Sequence, residues 1–414
     1  MDFASRASLW RWSRRRKAAV LTACAGFSAL AVAPWGTANA AGSPGPPPFT
    51  ILTPGAHNGN GDIFLAPFGD SDYAGGPEIV TPGGKVVWFH PLPVSVTATD
   101  FRTQTYLGQP VLTWWQEDVG GGVIYNDHFQ QIATVRAGNG YTMDVHEFLI
   151  TPWNTALILA DGVTTANLAT IGGPADQQVA VNVVQEIDIK TGRVLFQWNA
   201  NDYVPYRDSH LPLPTSASQP WDWFHINAVH LDVDGNLLVS SRHTWTVYKV
   251  NRYTGKIMWE LGGKQSYFTL KAAPGQVLDR AGEIFAWQHD PEGLGSGLYT
   301  VFDNETGVGA SLLPYSRVVT VRLDLRTHVA ALVKSDNQPE GLLVGFGGNA
   351  ETTKNGDLFV GWDPQRYVSE FSPSGTLLFN AESPSGNISY RAYRLPWPSP
   401  ADVAHPRQLP PANE

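Results

Sequence analysis

HINAVHLDVDGNLLVSSRH at His225–His243, followed by YKVNRYTGKIMW at Tyr248–Trp259, decides how the chain is read. Each half alternates apolar and polar residues around a glycine-bearing turn, Asp234-Gly235-Asn236 in the first, which is the pattern of a half-buried β-hairpin. The second kind of hairpin, ending in an aromatic, recurs at Gln185–Trp198, Glu78–Trp88 and Ser369–Phe379, with weaker copies at Val123–Val135 and Val318–Val333. The first kind recurs at His146–Leu159, His289–Asn304 and Asn349–Asp363. Paired hairpins roughly every 50 to 70 residues describe four-stranded propeller blades, so the sequence predicts an all-β, six-bladed propeller. Composition agrees: Gly 41, Pro 31 and Trp 15 are plentiful, charged residues make up 16%, and no long stretch carries apolar residues at helical spacing.

The expected organisation is a signal peptide at 1–40, a propeller at 41–400 and a Pro-rich tail at 401–414, with residues 41–60 and the tail after Trp397 sealing the ring or lying along it. Arg11, Arg14, Arg15, Arg16 and Lys17 precede an apolar run from Ala18 to Ala33, and Ala38-Asn39-Ala40 offers a cleavage site, so the protein is expected to be secreted or held at the cell envelope. The leader fits either the general secretory or the twin-arginine route, and Leu21-Thr22-Ala23-Cys24 also matches a lipoprotein box that would anchor Cys24 to lipid. Cys24 is the only cysteine, so ordinary cleavage leaves no disulfide, thiolate nucleophile or cysteine metal site. The leader holds six basic residues and one acidic one, so 22 basic and 36 acidic residues of the chain's 28 and 37 remain, a net of about −14. That excess argues against nucleic acid as a partner. No membrane span is expected in the mature chain.

Aligning the first-type hairpins on their second strands brings His146, His225 and His289 to one phase of the repeat, with Asn349 near it. Equivalent ends of innermost propeller strands converge on one mouth of the channel, so the three imidazoles are expected to share a pocket. His57, His90, His128, His210, His328 and His405 read as structural, because a lone strand histidine is usually a satisfied polar group, while His230 and His243 stay open.

Three ordered motifs carry a resemblance to the arylsulfotransferases, bacterial enzymes that pass sulfuryl groups between phenols without a nucleotide sulfate. They are His225-x-Asn227 leading to Ser240-Ser241-Arg242-His243, Trp287-Gln288-His289 with Val301-Phe302-Asp303-Asn304 beyond, and Tyr315-Ser316-Arg317. The resemblance implies a six-bladed propeller and a transiently sulfated histidine at His289. It also implies active-site partners at His225, His146, Asn227 and Arg242, and no cofactor or metal. The implied substrates are an aryl sulfate donor and a phenolic acceptor. The chain is too short for the N-terminal β-sandwich of the best-known members and lacks the cysteine pair some carry.

The chemistry suits these residue types. A sulfuryl group in flight spreads charge over three oxygens, calling for a neutral nucleophile and fixed donors, which imidazole, Asn227 and the planar fork of Arg242 supply. His146 or His225 is suited to carry the phenol's proton in both half-reactions. Trp114, Trp115, Trp245, Trp287, Tyr299, Phe302 and Trp362 lie near the inner segments and suit either core packing or stacking on an aromatic ring. No G-x-x-x-x-G-K-[ST] loop occurs. Two other readings stand beside transfer: a metal-dependent hydrolase or lyase with a metal ringed by His146, His225 and His289, and a non-catalytic binding propeller.

Overall fold

The computed structural model describes residues 44–397 except 56–60, 70–71, 218 and 310. The described residues all lie in one compact unit, Pro44–Glu414. The leader, Cys24, His57, His405 and the tail lie outside them.

Six sheets form six blades, their consecutive strands antiparallel and running from the inner to the outer edge as the chain advances, while three further strands join from elsewhere in the chain. Blade 2 holds Ala98–Tyr106, Gln109–Gln116, Gly121–Tyr125 and Gln131–Val135; blade 3 holds Thr142–Ile150, Thr155–Ala166, Gln177–Asp188 and Val194–Asn199. Blade 4 holds Ile226–Leu231, Leu237–Ser241, Thr246–Val250 and Ile257–Leu261. Blade 5 holds His289–Gly295, Leu298–Asp303, Arg317–Asp324 and Val329–Asn337, plus a parallel outer strand, Thr269–Ala272. Each hairpin read from the sequence falls on two neighbouring strands of one blade.

Closure uses both ends of the described chain. Blade 1 has three N-terminal strands, Asp62–Leu65, Glu78–Val80 and Val86–Phe89, and takes its innermost strand, Ala392–Leu395, from the C-terminal side. Blade 6 has Asn349–Thr352, Leu358–Gly361, Tyr367–Phe371 and Leu377–Glu382, with Thr50–Thr53 on its outer edge. The ring is therefore sealed by a strand just before Trp397. Core packing sits between blades, where Trp198, Trp223, Phe224 and Tyr248 fill the gap between blades 3 and 4.

The inner strands neighbour one another in a closed ring, and bulges near their starts turn polar residues toward the axis. In blade 3, Phe148 pairs with Ile158 and Met143 with Ala160, so residues 144–147 stand opposite Leu159 alone. Comparable shifts fall at residues 100–101, at Asn227 and at residues 290–291. A bulge re-aims side chains that a regular pleat would send to alternate faces. The result is a buried network in which Glu147 meets Arg102, Arg391 and His230, and Asp290 lies 3.1 Å from His230 and 3.5 Å from Arg391. Burial opposes charge on His230, but Glu147 and Asp290 hold it protonated. Removing one partner from such a network is costly, because it leaves an uncompensated buried charge.

Candidate active site

At the end of the axis where the inner strands begin, three imidazoles converge. The His146 ring lies 5.2 Å from that of His225 and 6.4 Å from that of His289, centroid to centroid. The bulge at 144–147 delivers His146, which takes a very short hydrogen bond from Nδ1 to Asp144. His225 precedes its strand with φ of 53°, and its Nδ1 lies 2.6 Å from Asp222. Both rings are thereby oriented by a carboxylate on Nδ1, leaving Nε2 to face outward from that pair. Asp222 is held below the usual carboxylate range: burial raises it, but His225, His243 and His146 outweigh that.

His289 is almost wholly buried and opens its strand between Trp287 and Asp290, both at positive φ (58° and 50°). Left-handed backbone at bulky residues costs on the order of 1–3 kcal/mol each and persists where the surroundings enforce it. Its Nδ1 lies 2.8 Å from Asn304 Oδ1, and Asn304 donates its amide to the carbonyls of Val344 and Gly347 at 2.9 and 3.1 Å. The amide orientation is thus set, its oxygen accepts, and Nδ1 carries the proton. The Nε2 lone pair is left to accept the N–H of Gly347 at 3.2 Å. Gly347 has φ of 66°, and a Cβ there would fall 2.6 Å from Asp363 Oδ2, so glycine alone suits the loop. Burial first, then Arg242, pushes His289 well below the ordinary imidazole value, and it is neutral at pH 7.

Arg242 supplies the charge. Its guanidinium donates to Gly345 O at 2.5 Å and lies 5.4 Å from the Trp287 ring centre, yet no carboxylate comes within ion-pair distance of it among the described residues. Burial pulls it below its ordinary value, offset in part by Asp222, and it remains a cation at neutral pH. A buried guanidinium without a carboxylate partner is poised for an anion from outside. Tyr390 completes the pocket edge-on to His146 at 5.3 Å and to His289 at 6.5 Å, its buried hydroxyl unpartnered among the described residues.

The family model described as Arylsulfotransferase (ASST) matches residues 102–383, roughly two thirds of the chain and all of this cluster except Tyr390. The chain belongs to the arylsulfotransferase family. No curated protein matches it in sequence. Among solved structures it is similar to a protein of unknown function from Bacteroides caccae, 14% identical over 80% of this chain and 98% of that one, TM-score 0.46. It is also similar to a streptogramin B lyase, 10% identical over 82% and 84%, TM-score 0.40, and to virginiamycin B lyase from Staphylococcus aureus, 11% identical over 69% and 73%, TM-score 0.34.

The arylsulfotransferase motifs divide between the pocket and its support. His146, His225, Arg242 and His289 come together in the pocket. Asn227 does not join them as a free donor: its amide holds Gln288 O at 2.7 Å, while its Oδ1 is buried without a partner among the described residues. Gln288 in turn donates to Ser240 Oγ and to the carbonyls of Ser241 and Thr246, stitching blade 5 to blade 4 beside His289. Ser316 donates to Asn304 O and accepts from Val344 N–H, and Arg317 binds Asp303 and Glu305, so the Tyr315-Ser316-Arg317 motif fastens the residue that orients His289.

His243 joins the pocket wall beside His225, and His230 belongs to the axial network. Of the remaining histidines, His90 packs in an aromatic cluster, His128 is exposed, His210 stacks on Trp245 at 3.6 Å, and His328 bonds Tyr267. Asn349 pairs with the backbone of Ala392. Trp287 and Trp245 border the pocket, 5.4 Å apart, whereas Trp114, Phe302 and Trp362 are core and Tyr299 bonds Asp232. Sequence reasoning missed Asp144, Asp222, Asn304's orienting role and Tyr390. The acidic residue two or three positions before each histidine was the available signal for the first two.

Proposed function

We propose that this arylsulfotransferase-family protein moves a sulfuryl group from an aryl sulfate to a phenolic acceptor in two steps, with His289 Nε2 as carrier. The observation that supports this best is the pairing of a buried neutral imidazole, its Nδ1 tautomer fixed by Asn304, with the carboxylate-free cation of Arg242. Nε2 attacks sulfur, the bond from sulfur to the aryl oxygen breaks, and the departing phenoxide takes a proton from His146 or His225. In the second step the acceptor phenol gives its proton back to that imidazole as its oxygen attacks sulfur and the bond to Nε2 breaks. Arg242 and the Gly347 N–H, which leaves Nε2 as sulfur arrives, suit the sulfuryl oxygens. Asp144 and Asp222 stabilise whichever imidazole is charged. The leader read at 1–40 supports action outside the cytoplasm.

The test uses a chromogenic aryl sulfate with and without a second phenol and without nucleotide. Parallel double-reciprocal lines are expected, with about 80 Da added at His289 under non-acidic conditions, the mass of SO₃ in a covalent intermediate. His289→Ala should abolish transfer with the fold kept. Intersecting lines without donor–phenol exchange, or near-normal turnover in that variant, would remove the assignment.

A further inference from the structure

Beside His289 lies a second constellation, of which the proposed transfer uses Asp222 and His225 but not His243. One ligand atom each from Asp222, His225 and His243 lies within 4.8 Å of the other two. His225 Nδ1 is 2.6 Å from Asp222 Oδ2, His243 Nδ1 is 3.9 Å from that same oxygen, and His243 Nδ1 is 2.5 Å from the backbone carbonyl of Asp222. Tetrahedral zinc, with bonds of about 2.0 Å to nitrogen and oxygen, holds its ligand atoms about 3.3 Å apart. The observed separations bracket that spacing, so small side-chain rotations bring two imidazoles, a carboxylate and a carbonyl around one point. An ion can enter from solvent, because the Asp222 side chain is 38% exposed and that of His225 26%.

The other convergent trio is different in kind. Glu147, His230 and Asp290 also gather, but Arg391 and Arg102 already occupy the space between their charges. At Asp222 the nearest guanidinium, Arg242, sits instead on the far edge of His243, 3.5 Å from Nε2. Its repulsion weakens a cation there without filling the site.

We propose that Asp222, His225 and His243 form a zinc site at the rim of the pocket, and that zinc bound there inhibits sulfuryl transfer. Binding stands on the geometry alone; the inhibition rests on the transfer reading. Zinc on Nδ1 of His225 fixes its proton on Nε2, so the ring no longer accepts a proton from a phenol, and it takes from His225 the Asp222 carboxylate that would stabilise its charged form.

Purified full-length protein, stripped with chelator, is titrated with Zn²⁺ by calorimetry and assayed for transfer. One zinc per chain is expected, with affinity falling about 10–100-fold in His243→Ala and Asp222→Asn, as lost ligands and their partners typically cost. Co²⁺ in its place should give a tetrahedral d–d spectrum in wild type that His243→Ala loses. His289→Ala should bind zinc as wild type does, which separates this site from the transfer assignment. Zinc should slow wild-type transfer, with recovery on adding EDTA, and the zinc concentration needed to slow the residual transfer of His243→Ala should be about 10–100-fold higher. Absence of binding, or binding unaltered in both ligand variants, overturns the site; bound zinc without slower transfer overturns the inhibition.

Discussion

Asn304 decides which nitrogen of His289 carries the proton. Its replacement by alanine should lower kcat about 10–100-fold with little change in KM, the usual effect of losing an orienting partner, and steady-state kinetics would show the split. Arg242→Lys, which keeps the charge but loses the planar fork, should cost more, up to about 10²–10³-fold in kcat, because it removes a fixed donor to developing charge. Burial holds His289 well below 6.5, so its protonation cannot switch off attack at ordinary pH. The phenol burst should therefore persist as pH falls through 6.5, and a loss centred there would refute His289 as the neutral carrier. At this scale the sequence was legible where a motif keeps its residues adjacent, as in Gln288-His289 or Arg242-His243. It was silent where contact is made by a bulge, as for His146 with Asp144, or by the segment between blades 3 and 4, as for Asp222.

Glu78 in the second strand of blade 1 is buried, both carboxyl oxygens lack a partner among the described residues, and burial raises it from 4.5 to about 8. Folded protein therefore binds one proton more than unfolded chain between those values. Stability from this group is full below 4.5 and declines as pH rises toward 8, by at most about 1.4 kcal/mol per pH unit. Glu78→Gln should flatten that slope and unfold at higher denaturant than wild type at the alkaline end; equal slopes in the two proteins would refute the assignment. The hairpins themselves were readable because alternation and a glycine turn are local properties. Blade 1 was readable only in part, since a carboxyl inside a strand and a strand borrowed from the far end of the chain leave no local pattern.

The whole ring depends on one late strand. Removing residues 390–414 takes away Ala392–Leu395, the inner strand of blade 1, together with Arg391, which bonds Glu147 and Asp290 across the axis. The truncated protein should melt broadly and at lower temperature, followed by circular dichroism, whereas a chain ending after Trp397 should melt as the full one does. Blade count was legible because the repeat is periodic; the closing strand was not, because it is a single strand outside the repeat. Tyr390, which touches both His146 and His289, rides on that same segment. The ribosome makes it after every other wall of the pocket. A nascent or clipped chain without it holds all three histidines yet no finished pocket, so the pocket is completed only once the chain has been made through Tyr390.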